Sequence, residues 1–264
     1  MRGVLFGATM RARMRALLWW TVALVLLASM YIALFPSLRD QSSINDLLKT
    51  YPDAVKQAFG ISDLTSPSGY LNAELFSFLM PLVLGIYSIG QATDAIAGEE
   101  ERKTIDLLVS HPVTRRRIEL EKFAALLTGL VVICVATFAV ITLLGPPFSV
   151  DLPLSRVAGA VGGQFLLAAA LGSFALFLAC VTGKRGISRA LSGLVGLLAF
   201  LVNSAAPSID ALRPYRSASL LYHAVGIDPL RNGVDPVNVA VPLGVAVVLT
   251  IAAVLVFQRR DIAV

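Results

Sequence analysis

Apolar residues in this chain gather into six runs, each close to the length of about 20 residues that crosses a hydrocarbon layer about 30 Å thick. They cover residues 17–35, 75–97, 123–145, 157–182, 187–206 and 239–257. Pro36 closes the first run and Pro146 with Pro147 the third, since proline cannot carry a helix's hydrogen bonding onward. The pattern predicts an all-α polytopic membrane protein with six transmembrane helices, a single domain over residues 1–264. A secretory signal is the rival reading of the first run, whose lead carries Arg2, Arg11, Arg13 and Arg15. The run is too long for the apolar region of such a signal, and no small-residue cleavage site follows it before Pro36.

The connections add detail. Ile44, Leu47, Leu48, Tyr51, Val55 and Phe59 recur at roughly helical spacing, which predicts an amphipathic helix on the outer face between the first two runs. Residues 207–238 could dip into the membrane before the last span. Pro81, Gly85 and Gly90 permit a kink or a close approach in the second span. Gly159 and Gly163 make a G-x-x-x-G, and Ser188, Ser192 and Gly196 a ladder of small residues; such stripes pack helices together, within one chain or between two copies.

Composition sharpens the membrane assignment. The chain is 56% hydrophobic and 15% charged with mean hydropathy +0.77, more apolar side chain than one soluble core of 264 residues holds. Of its 22 Lys and Arg, fifteen fall on the side shared by both termini and the connections after the second and fourth runs, and seven on the other. By the positive-inside rule both termini are cytoplasmic, in a multi-pass protein of the cell membrane. The net charge of +5 is mostly this bias and not a footprint for nucleic acid. Cys134 and Cys180 lie within runs and read as small buried residues, and with only His111 and His223 no metal site is expected.

The runs carry no charge deep inside, where a proton relay would need one. Asp94 and Glu74 sit near the two ends of the second run and read as interfacial carboxylates ahead of a transport site; Gln164 and Asn203 read as packing amides. Motifs of metalloprotease or serine-hydrolase chemistry are missing, so the chain is not expected to be catalytic. It also lacks G-x-x-x-x-G-K-[ST], the loop whose amides and lysine cradle ATP phosphates. "LSGL" at residues 191–194 lies in an apolar run and is no nucleotide signature.

One band breaks the apolar pattern, "GEEERKTIDLLVSHPVTRRRIELEKF" at residues 98–123. A helix is predicted from Glu99 to Ser110, about 18 Å long at 1.5 Å per residue, ended by Pro112; Thr114 can cap a second helix leading into the third run. On a helical wheel Ile105, Leu108 and Val109 share a face with Glu101, while Leu107 points away with Glu100 and Lys103. Two readings stand level on the residues. One is a docking surface for a soluble partner; the other is a solvated hairpin held by the i,i+4 pairs Glu99 with Lys103, Arg115 with Glu119 and Arg117 with Glu121.

The band resembles the segment after the second span in ABC transporter permeases of the type-2 export class, approximately E-E-x-G-T-L-E-L-L-L-S-x-P-V-S-R followed by a lysine. Glu100, Glu101, Thr104, Ile105, Asp106, Leu107, Leu108, Ser110, Pro112, Val113, Thr114, Arg115 and Lys122 fall on that pattern, and Lys103 departs from it where the family commonly has glycine. Residues 213–233, the ending "FQRRDIAV" and the basic stretch 1–15 are similar to the family's outer segment, usual ending and N-terminal amphipathic helix.

The resemblance implies a cytoplasmic coupling helix that seats on a separate ABC ATPase, two ATPases serving two permease copies, the second identical or a homologue. ATP and Mg would bind the ATPase and none of the chemistry this chain. The implied ATPase contacts are Glu100, Glu101, Thr104, Leu107 and Leu108, with Arg115 and Arg116. Arg11, Arg13 and Arg15 are implied as helpers from an interface helix or as anchors to membrane lipid. Gly159, Gly163, Ser188, Ser192 and Gly196 are candidates for packing in the dimer. The implied function is export, an efflux of a hydrophobic or amphipathic compound. The alternatives are an ATP-independent six-span carrier or channel, and a membrane-embedded enzyme or structural subunit.

Overall fold

The computed structural model describes residues 4–39, 63–103, 114–206, 209–226 and 228–260. Among them are helices and no strand, and six helices are long and apolar enough to cross a membrane. In chain order we label the elements α1 (Val4–Arg39), α2 (Pro67–Ala95), α3 (Ala97–Glu101), α4 (Arg115–Leu144), α5 (Leu154–Thr182), α6 (Arg185–Ala205), α7 (Pro229–Asn232) and α8 (Pro236–Arg259). The predicted outer amphipathic helix falls on residues outside those described.

Two boundaries differ from the sequence expectation, each for a physical reason. α1 is one helix of 36 residues, about 54 Å long at 1.5 Å per residue, so the basic N-terminal stretch forms its first turns and not a separate element. Residues 11–17 are all good helix formers, and no breaker separates them from the span. Pro36 lies inside α1, which runs on to Arg39. α2 in turn starts at Pro67, before the apolar run begins. Ser66 caps it, accepting from Gly69 N at 3.2 Å, and Pro67 occupies the first turn, where its missing N–H costs nothing.

α2 is irregular at Asn72–Leu79, a π-helical stretch. Met80 N donates to Leu75 O, five residues back. In that register the Phe76 carbonyl would take the amide of residue 81, and proline has none. Gln164, fully buried on α5, donates to Phe76 O from Nε2 at 2.9 Å in its place.

α5 is the central helix: 61% of its most apolar window is buried, against 11% for α6 and 22% for α1 and α8. Its inner faces are small, with Ala168, Ala169, Ala170, Gly172, Ser173 and Ala175 all buried. Lipid tails are as apolar as leucine, so helices in a bilayer gain chiefly by close approach, and small residues permit it. A methyl group on Gly172 would meet Ser88 Oγ, which donates to Ala168 O at 2.6 Å. Between α6 and α8 the chain forms short helical pieces, including Asp210–Ala218 and Tyr222–Gly226, and buries Leu221, Ala224, Val225 and Leu230 against the bundle.

Candidate functional site

The charged band departs from a simple helical extension of α2. Ile96, at φ −120° and ψ −66°, separates α2 from the short α3. α3 ends after Glu101, where Arg102 N donates to Gly98 O at 3.3 Å and Lys103 N to Glu100 O at 3.0 Å. Lys103 then takes φ 56°, the left-handed region that glycine enters freely and other residues enter at a cost. The sequence departs from the glycine of its look-alikes at the very position where the backbone takes the conformation glycine favours. The single helix expected from Glu99 to Ser110 is therefore broken within its described part. Thr104, Leu107 and Leu108 lie outside the described residues. Thr114 stands at the N-cap of α4, but its side chain makes no capping bond.

Two basic side chains, Lys122 and Arg260, hold this turn to the bundle, and Arg115 braces the second. Lys122, buried on α4, donates to Glu99 Oε1 and to Ala95 O, each at 2.9 Å. Arg260, after α8, grips Glu100 with Nη2 to Oε2 at 2.8 Å and Nη1 to Oε1 at 3.3 Å, and donates to Cys180 O at 3.0 Å. Arg115 donates to Arg260 O at 2.6 Å and Phe257 O at 3.5 Å. Ala95, Cys180 and Phe257 belong to the last turns of α2, α5 and α8, whose final carbonyls lack intrahelical donors and carry the negative end of the helix dipole. The basic residues that indicate topology in the sequence thus also cap the three helices that end together.

A second cluster lies beside the first. Asp94 takes Arg185 Nε at 2.5 Å and Arg189 Nη2 at 3.0 Å, and Arg189 Nε donates to Thr93 Oγ1 at 3.1 Å. Glu101 accepts from the Arg185 backbone N–H at 2.9 Å and is exposed, as are Arg102, Lys103 and Arg116. Arg13 turns inward from α1, near the acids Asp94 and Glu99 and with Nη1 buried, while Arg11 and Arg15 are exposed.

Of the three expected i,i+4 pairs, Arg117 with Glu121 is formed at 2.7 Å. Glu99 turns to Lys122 and Arg102 in place of Lys103. Arg115 goes to carbonyls of the last span, leaving Glu119 fully buried with neither carboxylate oxygen hydrogen-bonded among the described residues. The stripes of small residues turn inward. A methyl on Gly159 would meet Val234 Cγ2, one on Gly163 would lie 3.3 Å from Ala224 O, and Gly196 faces Leu171. Ser188 and Ser192 are fully buried. All five thus have neighbours within the chain, and the exposed face of α6 carries Leu194, Leu197, Leu198 and Leu201.

Two adjoining cavities lie where α1, α2, α5 and α6 meet. One, of about 450 Å³, has Asp94 and Arg189 in its lining with Trp20 of α1; the other, of about 280 Å³, is lined only by apolar residues, from Ile86 and Ile89 to Phe78 and Phe200. Ile86, Ile89 and Gly193 line both.

Beside six spans around a small-residue centre and a charged turn tied to three span ends stands a match to a family model. The model described as ABC-2 family transporter protein matches residues 5–262. The chain belongs to the ABC-2 transporter family. No curated protein matches it. Membership makes this ABC-2 chain a multi-pass membrane permease, the transmembrane part of an ABC transporter and not the part that carries catalysis.

Sequence reasoning missed the residues that fix the turn. Arg260 was visible as one of the basic residues that set topology and as part of a family ending, Lys122 as a lysine entering a span, and the Asp94 cluster as an interfacial carboxylate. The available signal was that Lys122, Arg185, Arg189 and Arg260 all stand at span ends on the side of the acidic triplet Glu99, Glu100 and Glu101.

Proposed function

We propose that this ABC-2 chain is the permease subunit of an exporter, driven by a separate ATPase that seats on the band between α2 and α4. The observation that carries this reading is the way the turn is held. Glu99, Glu100 and Glu101 are bonded respectively to α4, to the residue after α8 and to the start of α6, so a push on the turn reaches three spans at once.

Within this reading Glu101 and Arg116, both exposed, touch the ATPase, along with Thr104, Leu107 and Leu108. Glu100 and Arg115, engaged inside the chain, position that surface. Arg11 and Arg15 help from the start of α1 or anchor it to lipid headgroups. The ATPase binds ATP and Mg, two ATPases serve two permease chains, and both termini face the cytoplasm at the plasma membrane. The cavities beside α2 suit a hydrophobic or amphipathic cargo moving outward.

The test is to tag the chain in its native membrane, extract it gently and identify what co-purifies in near-equal amount. An ATPase carrying G-x-x-x-x-G-K-[ST], lost on Glu101→Lys with Arg116→Glu while the chain stays folded, is the expected result. A chain that purifies without any ATPase and carries flux indifferent to ATP would sink the proposal.

A further inference from the structure

The two cavities differ in chemistry along one line. Asp94 and Phe78 stand 16 residues apart on α2, about 24 Å at the helical rise, with the charges at one end and two aromatic rings at the other. Phe78 and Phe200 meet there edge to face at 5.6 Å between centroids, and among the described residues no charged one lines the apolar cavity. Such a cleft fits a molecule with a polar head and an alkyl tail.

The charge at the polar end is unbalanced. Asp94 is a single carboxylate carrying two guanidinium groups, Arg185 and Arg189, with Arg13 of α1 as a third positive neighbour; the other acid beside Arg13, Glu99, is already paired with Lys122 and Arg102. The Arg13 Nη1 is buried without a hydrogen-bond partner among the described residues. Glu101, the other acid near Arg185, is exposed and therefore screened by water. A cationic head would enter against this excess. An anionic one would find guanidinium donors that suit phosphate or carboxylate oxygens.

We propose that the paired cavities take an amphiphile with an anionic head group, its head at Arg189 and its tail along Ile86 and Leu82 toward Phe78. This names the cargo class of the transport path and so rests on the permease reading above. Trp20 lines the polar cavity, and the other tryptophan, Trp19, is 76% exposed and lines neither, so a Trp19→Phe chain reports the cavity by its own emission.

The experiment places that chain in phosphatidylcholine nanodiscs and titrates it with dodecyl phosphate and with dodecyltrimethylammonium. The expected result is a saturable change in Trp20 emission at a concentration about tenfold lower for the phosphate, a difference of about 1.4 kcal/mol. Arg189→Gln abolishes the preference and Asp94→Asn, which frees two guanidiniums, enlarges it. Because the two variants are expected to move in opposite directions, general misfolding cannot imitate the pair. Equal response to both heads, or a preference that neither variant alters, overturns the assignment.

Discs containing phosphatidylglycerol separate two sources of the same chemistry. A Trp20 signal already saturated there identifies the anionic head as the bilayer's own lipid, and a signal that still titrates identifies a free amphiphile; both support an anionic head. The readout is binding to the chain alone. A negative result with an intact ATPase complex removes the head-group assignment and leaves the permease reading standing, while loss of the ATPase partner removes that reading whatever the chain binds.

Discussion

Glu100 and Arg260 stand 160 residues apart in the chain and meet in a two-point ion pair at 2.8 and 3.3 Å. Their side chains are 11% and 24% exposed, so the pair is neither a solvated surface contact nor fully dry. Removing one partner strands the other. Glu100→Gln is expected to cost about 1–3 kcal/mol, between the values for exposed and buried pairs. Arg260→Gln should cost more, because the Cys180 carbonyl loses its donor as well. Thermal midpoints of the extracted chain, read as a double-mutant cycle, check this: the double variant should lose less than the sum of the singles. A coupling near zero would show that the contact holds nothing together.

Lys103 makes a second prediction through its backbone. At φ 56° it sits in a conformation that costs a residue with a Cβ about 1–2 kcal/mol. Lys103→Gly relieves that cost but frees the unfolded chain, by about 0.5–1 kcal/mol, so the midpoint should hold or rise slightly. Lys103→Val, with a branched Cβ, should lower it and weaken ATPase retention. If valine and glycine behave alike in both measurements, the turn is not what shapes this surface.

The six spans were legible because their signal is additive: about 20 apolar residues in a row need no knowledge of neighbours. The helix ends were not. Pro36 reads as a stop, yet α1 runs on to Arg39, because proline forfeits its own bond to the carbonyl four residues back while its fixed φ stays helical. The charged band was legible as a place and not as a geometry. Spacing along one helix suggested Glu99 with Lys103 and Arg115 with Glu119, whereas Lys122 and the carbonyls at the end of α8 are the partners, and only the packed bundle brings those close. The small-residue stripes showed a similar limit. Periodicity says that Gly159 and Gly163 face something close, not that the something is Val234 and Ala224 of the same chain.

A pH prediction comes from the opposite end of the bundle. Asp63, outside the spans, accepts from Thr65 Oγ1 at 2.6 Å, Thr65 N at 2.9 Å and Ser66 N at 3.2 Å, and lies 3.5 Å from Arg231 Nη2. Burial pushes its carboxyl up, but the hydrogen bonds from Thr65 and Ser66 outweigh that and hold it below the usual value of 3.8. A depressed folded-state value means stability that is present above the unfolded value and lost as pH falls through the folded one. The extracted chain should therefore soften below about pH 4, and Asp63→Asn should flatten that part of the curve while lowering the plateau at neutral pH. Identical acid limbs for the two chains would remove Asp63 from the account.

Gln164 and Pro81 give the sharpest test of why α2 has its shape. The π-helical register leaves the Phe76 carbonyl without a backbone donor because residue 81 is proline, and Gln164 Nε2 fills the place at 2.9 Å. Gln164→Leu keeps the volume and removes the donor, leaving a buried carbonyl unpaired at a cost of about 1–3 kcal/mol. Pro81→Ala restores an N–H at the position from which that carbonyl would be reached. In the Gln164→Leu background it should then recover part of the lost midpoint, whereas in the parent chain, where Gln164 already serves the carbonyl, it should gain little. Four thermal midpoints decide it. Recovery confined to the double variant means that the glutamine replaces a bond the proline withholds, and equal effects of Pro81→Ala in both backgrounds would mean that the two residues act independently.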